Sequence, residues 1–391
     1  MQSFLIVISL LLLLIYIALI IIYRIYWSDI PSYIVKYGNK RFSTFISIIV
    51  PARNEECNIA SLLESIKNQS YPQHLFEVIV VDDFSTDNTK HIVQSFDCTF
   101  IKYLSLEDHI SESNINSYKK KAIETGISLS KGELIVTTDA DCVVKENWLA
   151  TIADFYELHK PDMIVMPVVI DDVRTPIQIF QSLDFMSLQG ITAAGLYHKM
   201  HGMCNGANLA YRKTSYKEVG GFSGIDHIAS GDDMMLLHKF SARDKNSILY
   251  LKSKEVIVKT QPVNDVRSFI NQRIRWASKA DKYQDKSLLP ILLIVYLFNC
   301  SLFLLFLGSL FFNKEASLLS YNFSIRELLL FSIVVKTAAE MIFLIPVSHF
   351  FNQRRLMWAF PIFQPFHVIY IIIAGWLGKF GEYSWKERKV K

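Results

Sequence analysis

Pairs of carboxylates are the residues in this chain whose types and spacing suggest chemistry. Asp139-Ala140-Asp141 sets two acidic side chains one residue apart behind the apolar run Leu134–Val136. In an extended backbone, residues i and i+2 point to the same side. Two hard oxygen donors on one side suit Mg²⁺ or Mn²⁺ while that ion also holds a diphosphate. Taken alone the triplet is a common pattern, and a solvated strand end is its bland reading. Asp82-Asp83 follows Val78–Val81, a setting where charge is costly unless partnered. Behind that pair, Ser85 and Thr86 are expected to cap the next helix, with Asp87 in its first turn. Asp232-Asp233, after Ser230-Gly231, precedes a helix-like segment and serves equally as a cap or as reactive acid. Gln272-Arg273-Ile274-Arg275-Trp276 stands before an apolar stretch, where Arg and Trp collect at membrane surfaces.

The elements around these residues alternate in type. Phe45–Val50, Phe76–Asp83, Thr99–Leu104, Leu134–Asp141 and Met163–Ile170 read as short strands rich in β-branched residues. Asn58–Asn68, Thr86–Phe96, Lys119–Ser130 and Trp148–His159 read as the helices between them. Such alternation predicts an α/β fold, a mostly parallel sheet with flanking helices. Ligands bind beyond the carboxyl ends of such strands, where Asp82, Asp83, Asp139 and Asp141 fall. No GxGxxG follows the first strand, and neither a P-loop nor an internal repeat is present.

Composition points to a membrane. The chain has 391 residues, 51% of them hydrophobic. Its mean hydropathy is +0.24. The excess is concentrated in Phe4–Tyr23, Leu288–Phe312, Leu328–Val347 and Met357–Gly378, each near the length of an apolar span. Phe4–Tyr23 lacks a basic leader and a small-residue cleavage site, so it reads as a retained anchor. Arg24, Lys36, Lys40 and Arg41 follow it and place the next segment in the cytoplasm. Three further spans would leave the C-terminus outside, yet the tail carries Lys379, Lys386, Arg388, Lys389 and Lys391. Met357–Gly378, interrupted by Pro361, Gln364 and Pro365, is therefore expected to be interfacial or re-entrant. Lys336 and Glu340, one turn apart in an apolar span, are expected to neutralise each other, and His367 to be packed rather than a ligand. The net charge of +4 is too mild to argue for nucleic acid. Five cysteines without CxxC or metal-ligand spacing suit a reducing compartment. The expected organisation is an anchor at 1–24, a basic connector at 25–44, a cytoplasmic domain at 45–285, a membrane region at 286–380 and a basic tail at 381–391.

In order and spacing, these motifs resemble the family-2 glycosyltransferases, in particular the membrane-bound synthases of cellulose, chitin, hyaluronan and poly-N-acetylglucosamine. The resemblance rests on IIVPARNEE (Ile48–Glu56), VVDDFSTDNT (Val80–Thr89), the DAD triplet, Asp232-Asp233 and QRIRW as a QxxRW motif, and it covers about Phe45 to Tyr283. Lys119 and CNGANLAYRK (Cys204–Lys213) match further family features. The resemblance implies a GT-A (Rossmann-like) fold, a nucleotide-sugar donor (UDP-linked by expectation), a divalent cation and inversion at the anomeric carbon. It implies that Asp82 and Asp83 contact the nucleoside near Pro51–Glu55, and that Lys119 and Asp139 lie on the donor side. Asp141, with Asp139, would hold the metal, and Asp233 would be the general base. Asp232, Gln272, Arg275 and Trp276 would border the acceptor and the diphosphate. Two positions depart from the family: Asp232 stands where it has Glu, and Glu124 where it has Asn. The expected product is a β-linked polysaccharide made at the inner or plasma membrane. Single transfer to a lipid is the alternative, and an inert scaffold the remaining one.

Overall fold

The computed structural model describes residues 2–35, 41–109, 117–226, 228, 231–279, 285–311, 316–318, 321–380, 383–385 and 388–390. They form two compact units, one of residues 30–172 and 195–262, the other of residues 1–29, 173–194 and 263–391. The stretch expected to be one domain, 45–285, thus contributes 173–194 and 263–285 to the unit of apolar helices.

The α/β unit is built on a seven-stranded sheet. Its strands are β1 (Ile46–Ala52), β2 (Phe76–Asp82), β3 (Ile101–Ser105), β4 (Leu134–Thr137), β5 (Met163–Val165), β7 (Leu209–Arg212) and β8 (Ile248–Tyr250), in the order β3-β2-β1-β4-β7-β5-β8. β6 (Val168–Ile170) pairs separately with β9 (Val258–Thr260). β1 runs parallel to β2 and β4, and β2 parallel to β3, while β7 is antiparallel to β4 and β5. Burial on both faces explains the unbroken apolar runs: all seven residues of β2 and six of seven in β1 are buried. The helices of this unit are α2 (Ile59–Lys67), α3 (Thr89–Gln94), α4 (Tyr118–Leu129), α5 (Trp148–His159), α7 (Lys213–Glu218) and α8 (Asp232–Arg243). Gly126 lets α4 lie close on β1, since a Cβ there would come within 2.8 Å of Ile49 Cγ2.

Two expectations about strands need correcting. Met163–Ile170 is not one strand: Met166-Pro167 separates β5 from β6, because proline offers no N–H to continue the ladder. Leu134–Asp141 stops at Thr137, the last β4 residue paired with β1 and β7. Thr138 N still reaches Ile49 O at 3.3 Å, and the chain then turns, with Cys142 N donating to Asp139 O at 3.2 Å. Asp139 and Asp141 therefore sit in a turn beyond the sheet, and strand alternation is not what aligns them.

The helical unit holds α1 (Gln2–Asp29), most of α6 (Pro176–Tyr197), α9 (Val266–Ala277), α10 (Leu288–Phe311), α11 (Ile325–Phe350) and α12 (Gln364–Phe380). Three helices among the described residues are long and apolar enough to cross a membrane, over Leu5–Asp29, Leu288–Phe311 and Ile325–Phe350. Ile6, Leu305, Ile325 and Leu328 pack together where α1, α10 and α11 meet, and Tyr16 stacks on Phe298 with centroids 4.6 Å apart. Their other faces are apolar and open: Leu14 and Val334 are each 65% exposed. α12 has 17 residues and packs along α9, around Phe180, Phe269, Tyr370 and Ala374. The expected Lys336–Glu340 pair is present at 2.8 Å within a larger buried cluster. Lys336 also donates to Gln364 Oε1 at 2.6 Å, Gln364 donates to Glu340 Oε2 at 2.8 Å, and the Tyr16 hydroxyl donates to Glu340.

Candidate active site

Parallel pairing brings the carboxyl ends of β1, β2 and β4 to one edge of the sheet, and the polar motifs begin there. The segments after β1 and β2 are laced together. Asp83 N donates to Ala52 O at 2.8 Å, and Arg53 Nη1 donates to Asp83 O at 2.8 Å while lying 3.9 Å from Asp83 Oδ1. Asn54 N donates to Ser85 Oγ, Thr86 N to Asn54 Oδ1, Glu55 N to Thr89 Oγ1 and Glu56 N to Asp87 Oδ2, all between 2.8 and 3.0 Å. Ser85 and Thr86, expected as helix caps, are therefore not caps. Asn88 precedes α3 without a side-chain cap bond, and both residues instead hold the neighbouring turn. Asp82 is buried and its oxygens are engaged, Oδ1 by Ser85 N at 3.2 Å and Oδ2 by the Tyr103 hydroxyl at 2.7 Å. Asp83 is 2% exposed beside Arg53.

Lys119, at the start of α4, draws the other two acidic motifs together. Its Nζ lies 2.6 Å from Asp139 Oδ1 and 3.9 Å from Asp232 Oδ2. Burial would lower its pKa, but Asp139, Asp232 and Asp233 reverse this and hold the ammonium well above the usual lysine value. Asp141 Oδ2 accepts from Thr260 Oγ1 at 3.2 Å, which ties the turn to the end of β9. Burial, then the Asp139 and Glu55 carboxylates, push Asp141 up to about 6. That rise comes first from burial and then from like charge.

Asp232 and Asp233 are the first two residues of α8, behind Gly231 in a left-handed conformation. Neither is the cap; Ser230 lies outside the described residues. Asp233 Oδ2 accepts from Gly206 N at 2.9 Å and Oδ1 from Met234 N at 2.7 Å. Gly206 O in turn accepts from Thr137 Oγ1 at 3.0 Å, so the CNGAN segment links the end of β4 to α8. Burial and the neighbouring Asp232 push Asp233 up to about 6, against the lowering effects of Lys119 and the two backbone donors. Lys120 supports this entry, donating to Ile225 O at 2.8 Å and Ile228 O at 2.5 Å.

The donor chemistry of Asp139 and Asp141 fits a hard divalent cation, because two carboxylates in one turn offer hard oxygen donors. Among the described residues no group of three or more His, Cys, Asp and Glu forms a complete metal cage.

Gln272, Arg275 and Trp276 lie on α9, in the helical unit. Gln272 Oε1 accepts from Gln181 Nε2 at 3.3 Å and Arg273 Nη1 at 3.1 Å, and Trp276 lies 6.2 Å from Phe185. Arg273, unremarked in the sequence, is 4% exposed, 2.6 Å from Asp184 and 4.2 Å over the Trp276 ring. Sequence reasoning also missed Tyr103 and Thr260, and it held Arg53 and Gly206 only as members of longer motifs. A charge directly after an apolar strand marks Arg53, whereas nothing local marks Tyr103 or Thr260, whose roles arise across the sheet.

A sheet with these pairings and acidic turns defines a GT-A-like α/β fold. The fold is similar to that of a mannosyltransferase from Pyrobaculum calidifontis, solved with GDP-Man and Mn²⁺. The two are 18% identical, with 93% of this chain and 99% of the other aligned at a TM-score of 0.54, a likeness of fold. The profile of glycosyl transferase family group 2 matches residues 134–376, more than half of the chain, and that of glycosyl transferase family 2 matches 47–220. The chain belongs to the family-2 group of glycosyltransferases. Over 105 residues it is 37% identical to glycosyltransferase AglE of Haloferax volcanii, covering 27% of this chain and 33% of that one. Over 238 residues it is 27% identical to a beta-monoglucosyldiacylglycerol synthase of Nostoc sp., covering 60% of this chain. The chain spans about half the length of that synthase, 48%.

Proposed function

We propose that this glycosyltransferase is membrane-anchored and inverting, and that it moves a sugar from a nucleotide-sugar donor to the hydroxyl of a membrane lipid. The convergence of Asp139, Asp232 and, through α8, Asp233 on Lys119 carries the transfer chemistry. The lipid acceptor is supported by similarity to the diacylglycerol-modifying synthase across 60% of the chain. It is also supported by three apolar helices with open faces. Extension of a β-linked polysaccharide is the second reading, favoured by the QxxRW motif of Gln272, Arg275 and Trp276.

In this reading Asp83 and the Pro51–Glu55 turn receive the nucleoside. Asp82, with both oxygens engaged, holds the turn beneath it. Asp139 and Asp141 would hold the Mg²⁺ or Mn²⁺, which when bound neutralises charge growing on the leaving diphosphate. Lys119 offers its ammonium to that same charge. Asp233, held by Gly206 N and Met234 N, accepts the proton from the acceptor hydroxyl as its oxygen attacks the anomeric carbon. Direct displacement inverts that carbon and needs no enzyme nucleophile. By the family resemblance, Gln272, Arg275 and Trp276 would serve the acceptor side. If the three apolar helices each cross the membrane, the tail would lie on the same side as the catalytic unit, in keeping with its basic residues.

The test uses the purified full chain in diacylglycerol-containing nanodiscs, supplied separately with labelled UDP-glucose, UDP-N-acetylglucosamine and GDP-mannose. One sugar on an organic-extractable lipid is the expected product. A ladder of insoluble product would instead establish the polysaccharide reading.

A further inference from the structure

Asp139 carries two assignments that compete. It is a candidate ligand for a divalent cation, and its Oδ1 is engaged by the Lys119 ammonium at 2.6 Å. The same ammonium lies 3.9 Å from Asp232, so one positive charge serves two acidic motifs from different segments of the chain. For Asp139 to ligate a cation as well, the ammonium must either leave that carboxylate or share it with a second positive charge. Sharing is costly at such separations, because like charges a few ångströms apart repel strongly in a partly buried site. Leaving without a new partner is also costly, since the lysine would give up its closest counter-charge. A diphosphate removes the conflict. It brings oxygens to the cation and offers the ammonium a new anion, and the four-carbon stem of lysine allows the swing.

We propose that Lys119 makes metal capture conditional on the nucleotide: its ammonium guards Asp139 until a nucleoside diphosphate arrives to accept it. This inference rests on the reading of Asp139 and Asp141 as the metal ligands. Lys119 is thus a coupling residue between two ligands as well as a donor contact. The cation binds weakly by itself and tightly together with the nucleotide. A free cation is thereby kept from closing the site before donor enters.

The experiment measures free Mn²⁺ by electron paramagnetic resonance during titration of the full chain in detergent, with no nucleotide, with UDP and with GDP. In the native protein one nucleotide should tighten Mn²⁺ binding about tenfold or more, the usual scale of coupling between two sites being 5- to 150-fold. Lys119→Gln should tighten nucleotide-free Mn²⁺ binding and shrink that enhancement. Lys119→Arg, which keeps the charge, should preserve it. Asp139→Asn should weaken Mn²⁺ binding in every condition, which ties the signal to this site. Nucleotide-free affinity unchanged or weakened in Lys119→Gln, while the native protein still shows the enhancement, overturns the guarding role alone. So does loss of the enhancement in Lys119→Arg. Failure of the native protein to bind Mn²⁺ even with UDP or GDP overturns the metal reading itself, and the guarding role with it.

Discussion

Asp233 shows how little the residue type says without its surroundings. As the second residue of a helix it should be stabilised in its charged form by the backbone N–H groups around it. Burial and Asp232 outweigh that and push it up to about 6. The sign follows directly. Above about pH 6 the carboxylate is charged and can accept the acceptor's proton, and as pH falls through that value it is neutralised and transfer declines. Asp233→Asn should lower turnover by about 10²- to 10⁴-fold, abolish that acidic limb and leave UDP or GDP binding intact. Turnover at the native level would remove Asp233 as the base. Asp141 is also pushed up to about 6, so its titration overlaps. It is distinguished by metal: excess Mn²⁺ should compete with the proton and move an Asp141 limb to lower pH, and Asp141→Ala should weaken Mn²⁺-dependent nucleotide binding. Tyr103→Phe makes a different claim, on stability. It leaves buried Asp82 Oδ2 without its hydroxyl donor and should cost about 1.5–3 kcal/mol in urea unfolding, with Asp233 chemistry untouched.

At the level of elements, the sequence was informative where one physical preference dominated. β-branched apolar runs closed by acids were legible as strands, and Trp148–His159 as a helix, because burial on both faces or on one stripe dictates composition. The DAD turn was misplaced because its apolar lead-in continues the strand pattern, while the sheet ends where pairing to β1 and β7 ends at Thr137. Ser85 and Thr86 were read as caps because capping is a local bond. Their actual partner, Asn54, lies 31 and 32 residues away. The QRIRW motif on α9 was legible, but not the fastening of the helix that carries it. Arg273 packs between Phe269 and Trp276, at 4.7 and 4.2 Å from the two rings, and pairs with Asp184, which also accepts from the Tyr370 hydroxyl at 2.6 Å. Removing one partner of a buried ion pair strands the other charge. Asp184→Ala should therefore destabilise the helical unit by about 3–5 kcal/mol, read as an earlier thermal transition in detergent. An unchanged transition would show that α9 is held by its apolar contacts alone.

For the whole molecule, the proposed three-span layout makes a topological prediction. A cysteine placed in the 381–391 tail should react with a membrane-impermeant maleimide from the same side as Cys57, which is exposed in the α/β unit. Labelling from opposite sides would require a fourth crossing. The buried cluster of Tyr16, Lys336, Glu340 and Gln364 bears on how the chain is made. In that layout α1 would enter the bilayer first and α11 much later, with α12 made last. When α11 emerges its lysine and glutamate each oppose insertion by about 2.5–3.5 kcal/mol on biological insertion scales. The Tyr16 hydroxyl is by then already present to meet Glu340, whereas Gln364, 24 residues beyond Glu340, is still inside the ribosome. The first helix would thus act as an internal chaperone for the eleventh. Chains truncated before residue 364 and released from the ribosome should hold α11 only loosely in the membrane, and replacing Tyr16 should loosen it further.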